Sequence, residues 1–195
     1  MATPKAQRIG IWIITVVMVV GVIGSFAVMI LSTQNQASDN SAQLAQQQAQ
    51  AQQQAQQASQ LSTQYYPTLL PYKSTPAQFD PTTVGSSVTT QDLVVGTGAT
   101  IDSSAGYQAY YIGWNPDGKT FDSSFASDGQ SLSAPLDTAG MSLIKGWGQG
   151  VQGMKAGGIR EVTIPAALAY GSSSPSPDIP ANTPLKFIIF IIKKD

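Results

Sequence analysis

An antiparallel, β-rich domain in the C-terminal half of the chain is the fold that the amino-acid sequence predicts, and three observations predict it. Apolar runs rich in β-branched and aromatic residues recur at Leu93–Val95, Tyr107–Trp114, Ile159–Pro165 and Leu185–Ile192. Gly, Pro, Asp and Ser separate these runs, and Asn115-Pro116-Asp117-Gly118 is a strong turn signal between two of them. In the last run Phe187, Ile189 and Ile191 alternate with Ile188, Phe190 and Ile192, so the strand is apolar on both faces and expects burial on both. The Ile159 run is different, because Ile159, Val162 and Ile164 mix with Arg160, Glu161 and Thr163, as in a strand with one wet face. Helical signal in this region is weak. Its best turns lie near Lys145–Gly153, where Gly146, Gly148, Gly150 and Gly153 lower the propensity.

Composition narrows the chemistry. The chain has 195 residues, a net charge of −1 and 11% charged residues, so it lacks the basic surface that a nucleic-acid partner needs. It contains no Cys and no His. Disulfide frameworks, thiolate nucleophiles, Cys/His zinc sites and imidazole-based triads are excluded. Asp102, Asp117, Asp128 and Asp137 are dispersed and lack calcium-loop spacing, so no metal is expected. Gly96-Thr97-Gly98 lacks the third glycine and following helix of a dinucleotide loop and reads as a turn.

Three segments precede the β-rich domain. Residues 9–31 are predominantly apolar and, as a helix, would span about 34 Å at 1.5 Å per residue, enough for a hydrocarbon core of about 30 Å. Asn35-Gln36-Ala37 is a poor cleavage site, so an uncleaved transmembrane signal anchor is expected over a cleaved signal. Lys5 and Arg8 precede this run and no cation follows until Lys73. The positive-inside bias then places residues 1–8 in the cytoplasm, with a single pass through the cell membrane and an extracytoplasmic C-terminal domain. Residues 32–64 are dominated by Gln, Ala and Ser and cannot bury a core, so a low-complexity linker and a solvated helical stalk are both open. Residues 65–87 contain Pro67, Pro71, Pro76 and Pro81, which favours an extended path.

Within residues 88–195, four strings resemble the signature of one family in the same order. Tyr110-Tyr111-Ile112-Gly113 with Asp117-Gly118-Lys119-Thr120-Phe121-Asp122-Ser123-Ser124 is the first, and Leu143-Ile144-Lys145-Gly146-Trp147 through Met154 is the second. Ile164-Pro165-Ala166-Ala167-Leu168-Ala169-Tyr170-Gly171 and Ile179-Pro180 through Leu185-Lys186-Phe187 complete the set. Together they resemble the FKBP-type peptidyl-prolyl cis/trans isomerases, in a membrane-anchored, bacterial-like form. The resemblance implies an α+β fold, a bent antiparallel sheet wrapped around one short helix, here preceded by a transmembrane helix and the low-complexity linker. It implies a pocket with Trp147 as its floor, in which Tyr111, Asp122 and Tyr170 carry catalysis. Phe121, Leu132, Leu143, Ile144, Trp147, Ile179 and Phe187 would contact substrate, with Leu132 standing where family members often place an aromatic residue. The Tyr170 hydroxyl and the Ile144 N–H would donate to substrate, and Asp122 would lie against Tyr111.

The implied activity needs no cofactor. Its partners would be X-Pro segments of unfolded or folding proteins, macrolides of the FK506 type, and the membrane through the N-terminal helix. The alternative is a non-catalytic binding module for Pro-containing peptides or partner proteins. The loop Phe125-Ala126-Ser127-Asp128-Gly129 departs from the family by lacking an Arg to pair with the pocket Asp, which puts the constraint on Asp122 in doubt.

Overall fold

The computed structural model describes residues 37–102 and 106–194, and the chain divides into two compact units, Met1–Leu61 and Ser62–Asp195. Helix α1 runs over Ala37–Leu69. Between residues 43 and 61 it is exposed along nearly its whole length, as its Gln and Ala content demands. The apolar segment 9–31, where a transmembrane anchor is expected, and residues 1–8 before it lie outside the described residues. Among the described residues no helix is long and apolar enough to cross a membrane.

The unit Ser62–Asp195 is built on one six-stranded sheet. Its strands are β1 (Thr89–Val94), β2 (Tyr107–Trp114), β3 (Thr120–Ser123), β4 (Leu136–Asp137), β5 (Ile159–Ile164) and β6 (Leu185–Lys194). The order across the sheet is β1-β5-β6-β2-β3, with β4 beside β2, and every pairing is antiparallel. The turn expected at Asn115–Gly118 joins β2 to β3. Gly118 sits at φ +77°, and Asn115 Oδ1 accepts the Lys119 N–H at 3.0 Å. Strand β6 lies between β5 and β2, and both of its faces are buried, as its double alternation requires.

Each face of β6 belongs to a separate core. On one side Phe187, Ile189 and Ile191 pack with Ala109 and Tyr111 of β2, Val162 and Ile164 of β5, and Trp147 and Val151. Those last two project from helix α2, Lys145–Val151. On the other side Ile188 and Phe190 pack with Tyr110, Ile112, Trp114, Ile159 and Leu132, and with Leu69 from the end of α1. Fully burying aliphatic and aromatic side chains of this size contributes roughly 1.5–3 kcal/mol each.

The Pro-rich stretch takes a compact path. Helix α1 continues through Pro67 to Leu69, and one-turn 3-10 helices follow at Leu70–Tyr72 and Pro81–Thr83. Pro67 removes one helical hydrogen bond. Burial of Leu69 and partial burial of Tyr65 and Tyr66 on the sheet offset that loss.

Helix α2 forms despite its glycines because two of them face the sheet. A Cβ at Gly146 would collide with Ile164 Cγ2, and one at Gly150 with Val162 Cγ1. The pair therefore seats the helix against β5, a tertiary gain that outweighs the propensity loss of roughly 1 kcal/mol per glycine. Arg160 of β5 closes the other end. Its Nη1 donates to the carbonyls of Gly150 and Gln152 at 2.9 and 3.1 Å, and its Nε donates to Asp92 at 2.6 Å. Gly148 has open space where its Cβ would be. Accordingly, Gly146→Ala is expected to destabilise the protein by roughly 1–3 kcal/mol through overpacking, whereas Gly148→Ala stabilises it by roughly 0.5–1 kcal/mol. Urea denaturation of the two variants checks both signs.

Candidate functional site

Tyr111, Gly113 and Phe187 come together because β2 and β6 pair with Tyr111 opposite Ile189 and Gly113 opposite Phe187. Gly113 is small for a reason. A Cβ there would lie 2.6 Å from Phe187 Cε1 and 2.8 Å from Phe121 Cζ. Its absence lets the two phenyl rings meet edge to face at 5.7 Å and 84°. Trp147 descends from α2 onto the same floor, edge-on to Tyr111 at 5.5 Å and to Phe187 at 5.2 Å. Tyr111, Trp147, Phe187 and Phe121 thus form a continuous chain of perpendicular rings, a geometry favoured by the aromatic quadrupole.

Polar groups fix this apolar set. The Tyr111 hydroxyl donates to Asp122 Oδ2 at 2.6 Å. Both backbone groups of Tyr111 engage the buried Ser124: its N–H donates to Ser124 Oγ at 2.9 Å, and its carbonyl accepts the Ser124 N–H at 2.8 Å. The second serine of the Asp122-Ser123-Ser124 string is therefore a clamp on Tyr111. Trp147 Nε1 donates to the Tyr107 hydroxyl at 2.7 Å. Tyr107 was not among the residues expected from sequence. Its period-two alignment with Ala109 and Tyr111 puts it on the correct face, but no local pattern signals a bond across 40 residues of chain.

Burial dominates the electrostatics. It pushes the Asp122 carboxyl above its ordinary range, opposed by hydrogen bonds from the Tyr111 hydroxyl and the Ser123 N–H. It also raises the Tyr111 phenol, helped by the negative charge of Asp122, and raises Tyr170 for the same two reasons. Both phenols stay protonated at neutral pH. No cation pairs with Asp122 among the described residues, in keeping with the missing loop Arg. The Tyr170 hydroxyl and the Ile144 N–H make no hydrogen bond within the described residues, so both donors remain available.

Ile179 is buried against this cluster, with Leu143, Ile144 and Tyr170 half-buried around it. The loop bearing Ile179 is tied down from outside. Asn115 Nδ2 donates to the Asp178 carbonyl at 2.9 Å, and Lys119 pairs with the Asp178 carboxylate. Leu132 is not brought to the site. It packs in the core on the far side of the sheet, where it faces Ile188 and Phe190 rather than Trp147. A cleft of about 330 Å3 opens beside α2, lined in part by Tyr107, Met141, Leu143, Ile144 and Lys145. It does not include Tyr111, Asp122 or Phe187, so the convergent polar groups belong to the ring cluster and not to the cleft.

A family model for FKBP-type peptidyl-prolyl cis-trans isomerase matches residues 96–192. FK506-binding protein 4 of Dictyostelium discoideum is 42% identical over 112 residues, covering 56% of this chain and 29% of its own length. The 39 kDa FK506-binding nuclear protein of Drosophila melanogaster is 40% identical over 113 residues, or 57% of this chain and 30% of its own. This chain thus spans less than a third of the length of these curated relatives. Among solved structures, AtFKBP13 is 34% identical and covers 55% of this chain and 93% of its own, with a TM-score of 0.45.

The expected cell-membrane location is overturned by these findings. These curated relatives are eukaryotic FK506-binding proteins, one of them nuclear by name. These matches do not support the membrane-anchored, bacterial-like form. What the family match, the four sequence strings and the curated relatives establish together is that residues 96–192 of this chain belong to the FKBP-type peptidyl-prolyl cis-trans isomerase family.

Proposed function

We propose that the protein catalyses cis/trans isomerisation of X-Pro peptide bonds in unfolded or folding proteins, by stabilising the twisted amide in an apolar pocket. The observation that carries this reading is the ring chain Tyr111–Trp147–Phe187–Phe121 with the Tyr111–Asp122 hydrogen bond at its edge. The barrier to rotation is roughly 18–20 kcal/mol because amide resonance is lost at a right angle of twist. A twisted amide has less charge separation than a planar one, so leaving water costs it less, and a dry aromatic site favours it. The free donors, Tyr170 hydroxyl and Ile144 N–H, are suited to hold the rotated carbonyl and its neighbour. Asp122 orients Tyr111 and sets the local charge without having to exchange a proton. The uncatalysed reaction takes about 10–100 s at 25 °C, slow enough to limit folding. Macrolides of the FK506 type would compete for the same rings.

Three outcomes are expected. First, the full-length chain accelerates exchange in a short X-Pro peptide, followed by protease-coupled absorbance or NMR line shape, and FK506 suppresses the rate. Tyr111→Phe lowers kcat/KM roughly tenfold, the size of one hydrogen bond to a charged group. FK506 binding without rate acceleration would instead leave a binding module.

Second, the proposed mechanism transfers no proton and the chain has no His, so kcat/KM is expected to be level from about pH 7 to 9. A bell-shaped profile would mean general acid–base chemistry and would refute the mechanism.

Third, Asp122 binds its proton more tightly in the fold than in the unfolded chain. Stability therefore falls as pH rises from the ordinary value of 3.8 through the raised folded value, and is constant above it. Asp122→Asn removes that dependence. Its stability relative to the parent chain should increase with pH across this window, as measured by thermal melts from acid to neutral pH.

A further inference from the structure

The sheet face turned away from the pocket is covered by chain that precedes the sheet. Ser62, Tyr65, Tyr66 and Leu69 share one face of the last turns of α1, at i, i+3, i+4 and i+7. Leu69 is fully buried, and the Tyr65 ring packs on Phe190 at 5.4 Å and on Tyr110 at 6.1 Å. Farther on, the Phe79 N–H donates to the Pro116 carbonyl at 3.0 Å. Residues 62–79 are thus a strap across the sheet.

The strap also grips one loop, Phe125–Leu132. Ser62 Oγ accepts the Leu132 N–H at 2.8 Å in a buried bond. The Gly129 carbonyl accepts from Tyr66 Oη at 3.1 Å and from Lys73 Nζ at 2.7 Å. Lys73 Nζ stands 5.3 Å from the centre of the Phe125 ring, and the Tyr66 ring meets the same phenyl edge to face at 5.9 Å. Gly129 is at φ +63°, a left-handed backbone conformation that favours glycine.

From the loop a short bonded path leads into the pocket. Phe125 and Leu132 bridge, and the Ser133 N–H donates to the Ser124 carbonyl at 2.9 Å. Ser124 in turn clamps both backbone groups of Tyr111, which holds Asp122. We infer that Ser62, Tyr66 and Lys73 are positioning residues for the isomerase, holding loop Phe125–Leu132 so that Ser124 keeps Tyr111 and Asp122 aligned in the pocket. This inference rests on the proposed activity. Misalignment of reacting groups by a fraction of an ångström lowers turnover with little effect on the fold.

The test uses the full-length chain with Tyr66→Phe/Lys73→Met, Lys73→Arg and Ser62→Ala. Hydrogen exchange across 125–132 reports the grip, thermal melts report the fold, and kcat and KM on an X-Pro peptide report alignment. In the double variant exchange in the loop is expected to speed up and kcat to fall roughly fivefold. KM stays within about twofold, as for an interaction made only in the transition state. Lys73→Arg, which keeps the donor, retains the parent rate. Ser62→Ala repeats the loss if the double variant fails to fold. Faster loop exchange with unchanged kcat would overturn the inference, as would unchanged exchange. If the parent chain itself has no activity, the proposed function fails separately. FK506 affinity then decides the inference: weaker binding by the loop-loosened variants supports it, and unchanged binding overturns it.

Discussion

Strand β6 needs cover on two sides, and most of the molecule is arranged to supply it. Five of its core side chains, Phe187, Ile188, Ile189, Phe190 and Ile191, are buried, and they point alternately to opposite faces. A sheet with one wet face would leave half of that apolar surface in water. One cover is helix α2, which brings Trp147 and closes the pocket. The other is the end of α1 with the strap that follows it. The two layers differ, since one carries the ring cluster proposed as the binding floor and the other is an apolar backing. The backing is dry enough that the Tyr110 hydroxyl and Trp114 Nε1 have no partner among the described residues, and burial with the nearby Tyr65 pushes the Tyr110 phenol up to about 12.

The proposed mechanism relies on shape and exclusion of water. Each ring is locked by a neighbour at nearly a right angle, and Trp147 is further held by its bond to Tyr107. A rigid floor costs nothing to reorganise when the amide twists, which is the advantage of a preorganised site. Asp122 differs from a general base because its proximal hydrogen bond points to a phenol that keeps its proton. In the absence of a cation beside it, the carboxyl depends on Tyr111 and the Ser123 N–H for its charge stabilisation.

Much of this was legible in the residues, for reasons that differ by element. Strand β2 begins and ends where its apolar run does, and the double alternation of β6 announced two cores. Strands β3 and β4 were not readable as strands, because a four-residue and a two-residue segment carry too little alternation. Propensity argued against α2, since Gly146 and Gly150 lower helicity locally and repay it only through contact with β5. Prolines argued against a helix at Tyr65–Leu69, and burial on the sheet overrode them. For the site, the family strings point to nine residues that the structure gathers. Leu132 failed because alignment to a motif gap says nothing about which face a bridge residue takes. Tyr107, Asn115 and the strap escaped because each acts through a hydrogen bond to a residue distant in sequence.

The glycine seat of α2 has a consequence for how such a pocket changes over time. Because Gly146 and Gly150 lie flush on Ile164 and Val162, the height of Trp147 above the floor is set by β5 and not by the helix. A methylene gained or lost at Val162 or Ile164 would raise or lower the indole like a shim beneath a bearing. The depth of the proposed binding floor is therefore adjustable from residues outside the ring cluster, which gives drift in a plain structural strand a direct route to new selectivity.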